Sequence, residues 1–419
     1  MDTRGFIPPL RLNAYTSLHR HALSLAERYG RVDVLAVPYD FRLGVRVAAD
    51  RLEARVNDRL TELSDEERAG RVVVLAHSMG GLVARHWLAR PRQARLCSEL
   101  ITLGTPFRGA PKVLDWLVNG AAAGPWVTES TTRLLAHNTG FTDVIRGWQG
   151  MYDLVPTYEV IRTATGTTAS PAELTTLLAG LPNAAPFTRT TTFRHLLDEG
   201  RSTHHEIAEG WADLEHPPTL TPYYSRHHST PHLVQLFDNG RLRVKATDPC
   251  WQTPTGWAGD GTVPAIAATP PELDHDPDRW RYVGETHGKL PSSAAVAARL
   301  DATFGEARRV RGDDPAQAHL ALGLPEAGLH GESMTLRARV VAADPGEDVR
   351  LIVTPQPEAG PALPEVVLDP PSGDDEWYAA EWRPPSPGLW TLRVDAVVGS
   401  SPRLHLDDTV AVLPQDEDD

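Results

Sequence analysis

Apolar residues recur at helical spacing in YTSLHRHALSLAERYG, where Leu18, Ala22 and Leu25 share one face and Gly30 supplies a C-terminal cap. VDVLAVPYD is a short apolar run ending at Pro38 and predicts a buried strand. VRVAADRLEARVNDRL returns to helical spacing, with Val47, Leu52, Val56 and Leu60 along one face. RVVVLA predicts a second buried strand, GGLVARHWLAR a helix, and ELITLG a third strand. Strands without polar alternation, separated by helices, predict an α/β architecture with a parallel sheet covered on both faces.

From about residue 107 to about residue 230 the pattern loosens into Gly, Pro and Thr clusters with short helical stretches and the tryptophans Trp116, Trp126 and Trp148. An insertion of that length after a central strand predicts a cap or lid, with the tryptophans as its core. HLVQLFDNGRLRVKA predicts a hairpin turning at Asn239-Gly240. Beyond the charged, proline-containing linker GEARRVRGDDPAQ the period changes to two. HLALGL, MTLRARVVA, DVRLIVTP, PEVVL, EWYAAEW, GLWTLRVDAV and LHLDDTVAVL read as about seven short strands between Pro/Gly turns, which predicts an immunoglobulin-like β-sandwich. The expected division is a first domain over 1–306 and an all-β domain over 317–414, with PQDEDD as a solvated acidic tail.

The 419 residues are 41% hydrophobic and 23% charged, an ordinary globular balance. A formal net charge of −14 argues against nucleic acid and against charge steering to anionic headgroups, while leaving membrane contact through an apolar patch open. Two cysteines, Cys97 and Cys250, make no disulfide framework and read as buried or free thiols. No stretch approaches the roughly 20 apolar residues of a spanning helix, and MDTRGFIPPLRL has no apolar signal core, so the chain as given reads as cytoplasmic.

Chemistry concentrates at VVVLAHSMGGLVARHWL, residues 72–88. A serine hydroxyl is a weak nucleophile that needs a base for its proton and donors for the oxyanion it creates. A sharp strand-to-helix turn provides for both: it lifts Ser78 above the sheet and aims the backbone N–H of Met79 at the developing charge. The turn demands small neighbours, here Ala76 and Gly80, and Gly81 lets the helix start close to its strand. The acid and base are expected later, each after a strand. Asp260 in GWAGDGTVPAIAA is favoured over Asp238, because a hairpin turn attracts Asp for local reasons. His287 in WRYVGETHGKL follows a strand pattern and precedes a helix, and would carry the serine proton to the leaving alcohol. The histidine-rich stretches RHHSTPH (His227, His228, His232) and THHE (His204, His205) lack metal-ligand spacing, so neither a metal nor a cofactor is expected.

These residues resemble the lecithin:cholesterol acyltransferase-like group of α/β-hydrolases, which includes bacterial esterase, lipase and phospholipase relatives. The resemblance rests on VPYDFR, VVVLAHSMGGLVARHWL, ELITLGTPFRGAPKVLDWLVNG, GDGTVP and THGKLP, over about residues 15–300, with GMYDLVP a further matching segment in the cap. It implies Ser78 as nucleophile, Asp260 as acid and His287 as base, acting on lipid or phospholipid acyl esters by hydrolysis or by transfer to an alcohol, with transient contact at a membrane interface. One departure stands out. Such relatives carry an earlier strand whose Pro-Gly loop supplies a second oxyanion donor, and here only FIPPL stands in that region, too short and proline-rich for a strand. Three explanations follow: a start upstream of Met1, which is favoured, a strand supplied by another chain, or a sheet that closes without it. A catalytically impaired fold serving as an interaction module, with a protein partner on the C-terminal domain, is the alternative from a different class.

Overall fold

The computed structural model describes residues 13–30, 32–119, 139–179, 181, 186–245, 258–276, 279–304, 318–325, 327–341, 349–371, 376–398 and 404–414. Trp126, Cys250, the FIPPL stretch, the linker at 305–317 and the acidic tail after residue 414 lie outside them.

The long helices α1 (Asn13–Tyr29) and α2 (Val45–Arg59) precede the first strand, β1 (Val72–His77). Helix α3 (Met79–Leu88) and strand β2 (Cys97–Leu103) follow. The stretch expected as a cap holds the short antiparallel pair β3 (Ile161–Arg162) and β4 (Thr168–Ala169) and the long helix α4 (Thr191–Ala212). Strand β5 (Thr219–Tyr224) returns to the central sheet, β6 (Leu233–Leu236) and β7 (Leu242–Lys245) form the expected hairpin, and β8 (Arg281–Tyr282) and helix α5 (Ala294–Phe304) complete this part.

The central sheet has the order β1-β2-β5-β8, and every pairing in it is parallel. Strand alternation divides its apolar residues between two cores. Val72, Val74, Leu100 and Leu220 face α2 and α3, while Val73, Leu75, Ile101, Leu103 and Tyr223 face α1 and α5. Both faces are thus covered, as the unalternating strands required. In a third core Trp148 packs with Tyr152, Phe193 and Leu197 and with Val234, Leu236 and Leu242 of the β6–β7 hairpin.

The stretch 32–40 differs from expectation. It carries no strand, although Leu35 packs into the same core as Val72 and Val74. An apolar run becomes a strand only where a neighbour offers a ladder, and among the described residues nothing pairs with β1 on the side away from β2. In consequence Val72–Leu75, which read as a fully buried strand, are only half-buried, whereas β2 is buried throughout except at Ser98.

The C-terminal part is β-rich. Strands β9 (His319–Gly323), β10 (Ala327–Leu329), β11 (Met334–Val341), β12 (Val349–Pro357), β13 (Val366–Val367), β14 (Tyr378–Trp382), β15 (Gly388–Val398) and β16 (Leu404–Leu413) form two sheets, β10-β16-β15-β12-β13 and β14-β11-β9. Leu322, Leu336 and Ala338 from one sheet share a core with Leu351, Val353, Leu392 and Val410 from the other. Strand β10 is an addition to the expected set. It runs parallel to β16, and a Cβ on its Gly328 would stand 2.1 Å from the Met334 sulfur, so a side chain there would have to displace Met334.

Candidate active site

Ser78 sits between the last residue of β1 and the first of α3, with φ 54° and ψ −133°. Among the described residues it is the only non-glycine with positive φ. That backbone is strained for any residue with a Cβ and costs about 1–3 kcal/mol. The turn is held by Ser78 N–H donating to Leu103 O at 2.9 Å and Gly81 N–H donating to Ser78 O at 3.0 Å. The close approach demanded by the motif is strictest at Gly81, where a Cβ would meet the Thr105 hydroxyl at 2.0 Å. At Gly80 it would make only ordinary contact, 3.9 Å from the Ala76 Cβ. Met79 opens the helix, so its N–H has no carbonyl four residues earlier within the helix to satisfy it and is available to an oxyanion.

His287 reaches Ser78 from the far side of the sheet. Its Nε2 lies 3.0 Å from Ser78 Oγ and its Nδ1 lies 2.7 Å from Asp260 Oδ2. Asp260 is 1% exposed. Its other oxygen accepts the N–H groups of Thr262 at 3.0 Å and Val263 at 2.7 Å, and its carbonyl accepts the His287 N–H at 2.8 Å. Burial pushes the Asp260 carboxyl upward. Electrostatic attraction to the His287 ring, its hydrogen bond and the two backbone N–H groups outweigh burial and hold it below the ordinary carboxylate value. A carboxylate so held donates no proton and fixes the imidazole with its proton on Nδ1, leaving the Nε2 lone pair toward the serine.

Gly104 clears the space for this pair. It adopts φ +54°, and a Cβ there would stand 2.6 Å from Asp260 Oδ2 and 3.0 Å from His287 Nδ1. Asp238, the competing carboxylate, is exposed in the turn of the β6–β7 hairpin.

Two residues that the sequence did not single out brace the His287 loop. His77 lies inside the AHSMG motif itself. Its Nδ1 accepts the Tyr15 hydroxyl at 2.5 Å and its Nε2 donates to the His287 carbonyl at 2.9 Å, while the two imidazole centroids are 4.7 Å apart. Burial pushes His77 down to about 3, so the ring stays neutral and serves as a fixed donor and acceptor. Tyr15 belongs to α1, and only the folded sheet brings it here.

The histidine-rich stretches build no metal centre among the described residues. His204 donates to the Asp153 carbonyl at 2.7 Å, His205 pairs with Glu209 at 3.0 Å, His232 Nδ1 donates to the Thr230 carbonyl at 2.9 Å, and the His227 ring lies 4.2 Å from that of His319. Cys97 is a free, buried thiol, pushed up to about 12 by burial.

Residues 12–179 match the family model described as lecithin:cholesterol acyltransferase. The lecithin:cholesterol acyltransferase match takes in Ser78 and much of the cap and ends before Asp260 and His287. No curated protein matches the chain. Among solved structures, Bacillus licheniformis lipase BlEst2 in its propeptide form is similar at 9% identity, over 86% of this chain and 82% of that one, with a TM-score of 0.26. Superoxide reductase (neelaredoxin) from Ignicoccus hospitalis is similar at 12% identity, over 23% of this chain and 80% of that one, with a TM-score of 0.19. A conjugative transposon lipoprotein from Bacteroides eggerthii is similar at 13% identity, over 23% of this chain and 98% of that one, with a TM-score of 0.17. At TM-scores this low the three carry no argument about fold or reaction.

Proposed function

We propose that the chain is a serine hydrolase that cleaves acyl esters of lipids through an acyl-enzyme, with Ser78, His287 and Asp260 as its triad. The observation that carries this reading is the unbroken relay from Ser78 Oγ through the His287 imidazole to Asp260 Oδ2, at 3.0 and 2.7 Å. His287 Nε2 takes the hydroxyl proton as Ser78 Oγ attacks the ester carbonyl, and Asp260 stabilises the imidazolium. The tetrahedral oxyanion lies against the Met79 N–H. Collapse expels the alcohol, which takes the proton from His287. Water then enters, gives its proton to His287 and releases the fatty acid, restoring Ser78.

The family match favours a second reading, transfer of the acyl group to an alcohol. The two differ only in whether water or a bound alcohol meets the acyl-enzyme. In either case we read residues 1–306 as an α/β-hydrolase domain with its cap at about 107–230, and 317–414 as an immunoglobulin-like sandwich. Contact with substrate at a lipid–water interface belongs to the same proposal.

Labelling with a fluorophosphonate tests the reading. The wild-type chain is expected to react at Ser78 and to hydrolyse p-nitrophenyl esters, and Ser78→Ala to do neither. A folded wild-type chain that resists the probe would instead fit an interaction module built on a hydrolase fold. Adding an alcohol acceptor during turnover separates hydrolysis from transfer by whether free acid or a new ester accumulates.

A further inference from the structure

His228 follows β5 and takes no part in the relay, yet three segments meet at it. Its backbone N–H donates to the carbonyl of Gly259, the residue before Asp260, at 3.0 Å. Its Nε2 donates to the carbonyl of Gly284, just upstream of His287, at 3.1 Å. Its Nδ1 accepts the N–H of Leu322, on β9 of the C-terminal β region, at 3.0 Å. The neighbouring Ser229 N–H returns a bond to the Leu322 carbonyl at 3.1 Å. The His228 carbonyl accepts the Thr230 hydroxyl at 2.7 Å, and the Thr230 oxygen accepts the Gly261 N–H at 2.9 Å. The acid loop is therefore gripped on both sides of Asp260.

Strand order explains why β9 is available for this contact. It is the edge strand of the β14-β11-β9 sheet, and its inner side pairs with β11. The N–H and C=O of one strand residue point the same way, so those of Leu322 face outward and would be an open edge. Residues 228 and 229 close it. His228 is 1% exposed, and burial pushes it down to about 4. At neutral pH it therefore has one lone pair and one N–H, and the Leu322 N–H can only meet the lone pair, which sets the tautomer.

We propose that His228 is a positioning residue through which the C-terminal β region holds the Asp260 and His287 loops at working distance from Ser78. The region is then part of the catalytic unit and not a tethered binding module. This inference rests on the serine-hydrolase reading. A base displaced by about 1 Å loses on the order of 100-fold in rate, so a modest loosening of Gly259 and Gly284 is enough to matter.

The full-length chain carries the test, with p-nitrophenyl butyrate as substrate and fluorophosphonate as the probe of Ser78. His228→Asn keeps an acceptor near the Nδ1 position and loses the donor toward Gly284. His228→Gln keeps a donor near Nε2 and loses the acceptor for Leu322. Each is expected to lower kcat about 10- to 100-fold with KM within about twofold, and His228→Ala by more than either. If kcat stays within about twofold of wild type in all three folded variants, the proposal is overturned. If the variants do not fold, hydrogen exchange on the unaltered chain decides. Leu322 and Ser229 amides as protected as those of Asp260 and His287 support the latch, and free exchange at the first pair with protection at the second overturns it. A wild-type chain unlabelled at Ser78 overturns the hydrolase reading instead, and the same exchange comparison then judges the latch alone.

Discussion

Strands β1 and β2 are neighbours with almost the same apolar text, and the molecule treats them differently. Ile101 and Leu103 are fully buried, while Val72, Val73, Val74 and Leu75 are half-buried. The cause is position. Strand β2 has a strand on each side and a helical layer on each face, and among the described residues β1 has a strand on one side only. The candidate site straddles this difference. Ser78 leaves the open-edged strand, held by a strained turn and a bond to Leu103. Asp260 and His287 come from loops tied by a dense set of hydrogen bonds, so the acid–base half is the better-braced one.

Breaking the braced half has the largest expected effect. Asp260→Asn keeps the shape but favours the wrong imidazole tautomer, and kcat on a p-nitrophenyl ester is expected to fall about 10⁴-fold. Gly104→Ala drives a methyl between the same two side chains and should cost on the order of 100-fold, visible in kcat more than KM. Stability then measures the contrast between the strands directly. Ile101→Ala, in the filled core, is expected to cost about 3 kcal/mol in urea unfolding, and Val73→Ala, on the half-open strand, about 1 kcal/mol. Equal losses would mean that β1 is as enclosed as β2 in solution.

Acidification probes both halves together through His77 and His228. Burial lowers them from 6.5 to about 3 and about 4. Between pH 6.5 and 4 the unfolded chain binds these protons and the folded chain does not, so stability is full above pH 6.5 and falls as pH drops through that window. Each histidine contributes about 1.4 kcal/mol per pH unit. Calorimetric Tm values at pH 7, 6 and 5 should show this decline, and His77→Asn should flatten it by one proton. The smallest expected effect is Tyr15→Phe, which removes one hydrogen bond to His77 and should cost about 1 kcal/mol, with a few-fold loss of rate.

Long periodic segments were legible in the sequence. The helix over Tyr15–Tyr29, the strand and helix around Ser78, and most C-terminal strands follow from spacing alone. The residues of the relay were legible too, because turn chemistry is local: glycines flank Asp260, and small residues, Ala76 and Gly80, stand two positions to either side of Ser78. What escaped is pairing across distance. Tyr15 and His77 are 62 residues apart, and His228 and Leu322 are 94 apart, and no periodicity carries such contacts. The 32–40 stretch departs from its expected strand for the same reason, since its composition suits a strand but its neighbours decide whether it becomes one. Strand β10 escaped because three residues around a glycine give no alternation to detect.

The backbone of Ser78 sets robustness against reactivity at a single position. Its φ of 54° suits glycine, and a side chain stands there against the local preference. A Ser78→Gly chain would shed that strain, and after the extra unfolded-state entropy of glycine is deducted it should still melt higher, by about 1 kcal/mol. On the serine-hydrolase reading, the inert protein would then outlast the working one, as expected where a fold holds a reactive group in a geometry its own backbone resists.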